Sequence, residues 1–84
     1  MTEKELLMLG FQKEILEDYV DEENPNYYYV LDIVDGLTFI TSSRDELKGD
    51  DWHVDIFNTD PIIRFHKMEK VQALINTFQN AIVK

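Results

Sequence analysis

The hydrophobic positions change their period along the chain, and each change marks an element. Thr2 followed by Glu5 has the form of a capping box, and Leu6-Leu7-Met8-Leu9 runs directly into Gly10. A hydroxyl and a carboxylate can satisfy the free N–H groups of a helix start, and glycine can adopt the left-handed conformation that ends one. A short helix over residues 3–9 follows. From Phe11 to Val20 two patterns compete. Leu7, Phe11, Ile15 and Tyr19 lie four apart, as on one helical stripe, whereas a strand would begin at Phe11 straight after the glycine stop. The bracketing of residues 3–9 by both caps favours the strand. Asp21-Glu22-Glu23-Asn24-Pro25-Asn26 reads as a loop, because three adjacent like charges and a proline suit no regular element.

The next segment gives the clearest signal. Tyr27 to Val34 is dense in aromatic and β-branched residues, Asp35-Gly36 supplies a two-residue turn, and Leu37 to Thr41 returns antiparallel. Residues 42–51 form a polar connection with room for one helical turn at Arg44–Leu47. From Asp51 to Phe57 the pattern alternates: Trp52, Val54 and Ile56 on one side, Asp51, His53 and Asp55 on the other. Such alternation marks a strand with one wet face. Asn58 to Pro61 turns the chain into a short strand at Ile62–Phe65. Met68 to Val83 then carries Val71, Leu74, Ile75, Phe78 and Ile82 as one helical stripe. The predicted fold is a single α+β domain over residues 1–84, with an antiparallel sheet of three to five strands. The short N-terminal helix and the C-terminal amphipathic helix cover one face of that sheet.

Composition narrows the function classes. The chain has 84 residues, 44% of them hydrophobic, enough for one core, and no cysteine, so disulfide, thiolate-metal and thiol chemistry are excluded. Seventeen acids against eight bases give a net charge of −9, which disfavours direct binding to nucleic acid or to an anionic membrane. The excess is uneven: residues 1–24 and 25–60 each carry −6, and residues 61–84 carry +3. The first residues lack the basic and apolar regions of a signal peptide, and no apolar run is long enough to span a bilayer. A cytoplasmic protein is therefore expected.

Reactive chemistry is sparse. The only histidines are His53 and His66, and nothing in the spacing brings either to Ser42 or Ser43. Asp51, His53 and Asp55 lie in a line along one strand face, which cannot converge on one ion. The three glycines are isolated and form no phosphate loop. No catalytic residue, cofactor or metal ligand is assigned, and a non-catalytic protein is expected. Two surfaces stand out instead. Alternation puts Tyr27 and Tyr29 with the core and turns Tyr28 to the opposite face with Val30, so that Tyr28, Val30, Ile40 and Phe57 form a candidate interaction patch for a protein partner or a second copy. The acids Glu17, Asp18, Asp21, Glu22, Glu23, Asp50, Asp51 and Asp55 form a candidate acidic surface. That surface either keeps the protein soluble or imitates a nucleic-acid backbone to occupy a basic groove on a DNA- or RNA-handling protein.

Leu9-Gly10-Phe11, Tyr27-Tyr28-Tyr29 leading to Leu31-Asp32-Ile33, Trp52 to Phe57 and the C-terminal amphipathic helix together resemble short, acidic, uncharacterised proteins of bacterial phage and mobile-element genomes. The resemblance implies a small α+β protein of a bacterial cytoplasm and carries no site residue across.

Overall fold

The computed structural model describes residues 1–16 and 25–83. Helix α1 spans Glu3–Leu9 with both capping-box bonds formed: the Glu5 amide donates to Thr2 Oγ1, and the Thr2 amide donates to Glu5 Oε1 at 2.9 Å. Gly10 ends it at φ +101°, donating its N–H to the last turn. The chain turns there into strand β1, Gln12–Ile15, as the glycine stop predicts. The second half of the ambiguous segment, and the acidic loop up to Asn24, lie outside the described residues.

Strands β2 (Tyr27–Val34) and β3 (Leu37–Thr41) form the expected hairpin, with an irregularity between Asp32 and Val34 and Gly36 at φ +88° in the turn. A 3-10 turn at Arg44–Glu46 follows. Strand β4 is Val54–Ile56 and β5 is Arg64–Phe65, both shorter than their apolar runs. Trp52 and His53 precede the paired part of β4, because Trp52 is held by Met1 instead: its N–H donates to the Met1 carbonyl at 3.0 Å, and its own carbonyl accepts from the Met1 amine at 2.8 Å. The five strands pair antiparallel in chain order, β1-β2-β3-β4-β5.

Helix α2 covers Met68–Ala81 and packs on α1, β2 and β5. Both helices lie over one face of the sheet. Between them sits a core of Leu6, Leu9, Phe11, Tyr29, Phe39, Trp52, Val54, Val71 and Ile75. Ile82 departs from the predicted stripe. The helix ends at Ala81, and Ile82 takes an extended conformation (φ −66°, ψ 126°) with 41% of its surface exposed. Among the described residues no glycine or basic side chain closes this helix end, and Ala81, Ile82 and Val83 lie beside Val34 and Leu37 at the β2–β3 turn.

Candidate interaction face

The strand registers define the uncovered face as a grid. Gln12 pairs Val30, Val30 pairs Ile40, Ile40 pairs Asp55 and Asp55 pairs Arg64, so one row crosses all five strands. Two residues along, Glu14 pairs Tyr28. Continuing the same registers brings Ser42, His53 and His66 into line with that pair. On the other side Asp32 pairs Thr38, whose carbonyl accepts from the Phe57 amide at 2.8 Å.

The apolar centre is therefore Tyr28, Val30 and Ile40, half-buried side by side with no described helix over them. Phe57, the fourth residue of the predicted patch, lies at the rim just past β4 and is 58% exposed. Sequence alternation alone assigns Tyr28 and Val30 to this face, but their adjacency to Ile40 requires the register. A shallow hollow of about 170 Å³ lies between β1 and β2, and Gln12, Glu14, Val30 and Asp32 help to line it. Its two carboxylates face away from the helices. On the opposite flank Arg64 grips Asp55 with two bonds, Nε to Oδ1 at 2.8 Å and a terminal nitrogen to Oδ2 at 3.1 Å.

The grid also corrects one expectation. Ser42 and His53 do meet, with Oγ and Nε2 3.0 Å apart, and the His53 and His66 rings lie 5.9 Å apart. The signal was the β3–β4 register rather than any sequence spacing. Burial first, and then the Arg64 guanidinium, hold the His53 pKa below its usual value, so the ring is neutral at pH 7 and suited to hydrogen bonding. Among the described residues, no three His, Cys, Asp or Glu side chains converge to hold a metal ion.

On the covered face a polar cluster closes the sheet end near α1. Tyr27 and Tyr29 both donate to Glu3 Oε1 at 2.7 Å, and the Lys13 ammonium lies 3.8 Å from the Tyr27 ring centroid. Burial pushes the Glu3 carboxyl up, but the two tyrosine hydroxyls, Lys13 and Arg44 together hold it below the usual range. Burial and the Glu3 carboxylate raise the Tyr29 hydroxyl well above the usual tyrosine range. Tyr29 and Tyr27 in turn pack against Trp52, with centroids 5.2 and 6.0 Å away. Trp52 Nε1 is buried without a hydrogen-bond acceptor among the described residues. The pattern placed Tyr27 and Tyr29 on this face, but not their shared carboxylate.

Three members of the candidate acidic surface, Asp50, Asp51 and Asp55, are among the described residues, and each lies near a positive group. Asp55 is bonded to Arg64, Asp50 lies 3.7 Å from Arg44, and Asp51 lies 4.0 Å from the Met1 amine. Glu17, Asp18, Asp21, Glu22 and Glu23 lie outside the described residues. No helix among the described residues is long and apolar enough to cross a membrane. No family model, curated protein or solved structure matches the chain.

Proposed function

We propose that this chain is a small, acidic, intracellular protein-interaction module without catalytic activity, and that the open sheet face joins it to a second copy of itself. The observation that carries the reading is the adjacency of Tyr28, Val30 and Ile40 at the centre of a five-stranded sheet, on the face away from both described helices. A charge pattern favours a second copy as the occupant. A two-fold axis parallel to the strands lays β1 and β2 of one copy over β5 and β4 of the other. The hollow bearing Glu14 and Asp32 then meets Arg64, which keeps N–H donors beyond the two it gives to Asp55.

Strand spacings of ~4.8 Å and rows ~7 Å apart give a face of roughly 20 by 20 Å, well below the ~800 Å² per partner of a standard interface. The association is accordingly weak and exchangeable. Two copies of charge −9 repel, so added salt tightens the pair.

The nucleic-acid-mimicking alternative draws less support, because its three described members, Asp50, Asp51 and Asp55, each lie near a positive group of this chain.

The test is Tyr28→Asp, followed by light scattering across a concentration series. The wild type gains mass with concentration, and the variant stays monomeric with an unchanged far-ultraviolet circular dichroism spectrum. A wild type that is monomeric at millimolar concentration, or a Tyr28→Asp variant that still pairs, overturns the reading.

A further inference from the structure

The two histidines of the chain lie side by side on the open face. Continuing the β4–β5 register sets His53 opposite His66, one pair beyond Val54 and Phe65, and their rings lie 5.9 Å apart. Cross-strand neighbours on one face stand ~5 Å apart at Cβ, close enough for two side chains to share a ligand. The amino terminus ties the two backbones together: the Met1 amine donates to the Trp52 carbonyl at 2.8 Å and to the His66 carbonyl at 3.3 Å. Ser42, next in the same row on the β3 side, holds the His53 ring, with Oγ 3.0 Å from Nε2.

Two imidazoles at this spacing can share a metal ion. An ion bonded to nitrogen at ~2.0–2.1 Å stands ~3 Å from each ring centre, so two rings on one ion have centres ~4.5–6 Å apart. The observed spacing falls inside that span. When the His53 Nε2–H donates to Ser42 Oγ, the ring's lone pair sits on Nδ1. The hydroxyl is then the outer hydrogen-bond acceptor that orients a ligating histidine. The nearby cations are each matched by a carboxylate: Arg64 gives two bonds to Asp55, and the Met1 amine lies 4.0 Å from Asp51. Imidazole suits copper(II), nickel(II) and zinc(II), with copper(II) bound most tightly, whereas magnesium prefers carboxylate and water oxygens.

We propose that His53 and His66 bind one divalent transition-metal ion of this imidazole-preferring class, each through a ring nitrogen. Water completes the coordination, and Ser42 orients His53. The ion clips the two-residue strand β5 to β4 and stabilises the fold by mass action. The binding does not depend on the self-pairing, because a weakly associating chain is monomeric in micromolar solution.

The experiment titrates copper(II) chloride into micromolar protein in a non-coordinating buffer, read by isotope-labelled histidine ring spectra and by a thermal scan. One equivalent should broaden the His53 and His66 ring signals together and raise the melting temperature, while a roughly hundredfold excess of magnesium does neither. His53 is half-buried and His66 exposed, so His53→Gln and His66→Gln leave the core intact. Each should weaken copper binding at least roughly tenfold, with an unchanged circular dichroism spectrum, and Ser42→Ala should weaken it about tenfold, the usual effect of removing an outer hydrogen bond. Four results would overturn the proposal. These are broadening confined to the amino terminus or to carboxylates, unchanged affinity in both histidine variants, a loss in only one of them (a single-histidine contact), and an equal response to magnesium (attraction to the acidic chain alone).

Discussion

Glu3 joins the first helix to the sheet through one oxygen. Its Oε1 accepts from Tyr27 and Tyr29, residues 24 and 26 positions away, so a single carboxylate fixes α1 against β2. Hydrogen bonds to a charged acceptor are worth more than neutral ones, and Glu3→Ala leaves both hydroxyls without it. A loss of about 2 kcal/mol in urea unfolding at pH 7 is expected. Glu3→Gln separates charge from shape. The folded protein holds the Glu3 carboxyl below its ordinary value of 4.5. The charged carboxylate therefore adds stability that is fully present above about pH 4.5 and fades as pH falls through the lower folded value. The wild type should be more stable than Glu3→Gln at pH 7, and the gap should close on acidification. A gap independent of pH would contradict the account.

At the scale of elements, Gly10 decides between the two readings for the described part of the ambiguous segment, residues 11–16. With φ at +101° it cannot continue a helix, and an added Cβ would meet only Leu31 Cδ1 at 3.9 Å. Gly10→Ala thus carries backbone strain without a clash. It should cost about 1–2 kcal/mol and lower the melting temperature by ~5–10 °C in a thermal scan. The helix α1, the strand after it, the β2–β3 hairpin and the core side of the 52–56 strand were legible because each rests on local chemistry: caps, turn residues and alternation. The shortening of β4 was not, because Met1 takes the hydrogen bonds of Trp52 that a strand partner would otherwise make. Nor was the early end of α2, since Ile82 and Val83 keep the apolar character of the stripe after the helical bonds have stopped. The same limit applies to the sites. Tyr28 and Val30 could be placed on the open face from parity alone. The Ser42–His53 contact, the His53–His66 pair and the row from Gln12 to Arg64 depend on how distant segments register.

At the scale of the whole molecule, the chain spends its apolar surface unequally. Among the described residues, two helices roof one side of the sheet and bury a nine-residue core there, while the other side has Tyr28, Val30 and Ile40 at its centre. The proposed second copy supplies the roof that the two described helices leave off this side. The most direct test of that claim is an isotope-filtered nuclear Overhauser experiment on an equimolar mixture of labelled and unlabelled protein at millimolar concentration. The account predicts intermolecular contacts from the Tyr28 ring to the Val30 and Ile40 methyl groups. Contacts confined to the helices, or none at all, would contradict it.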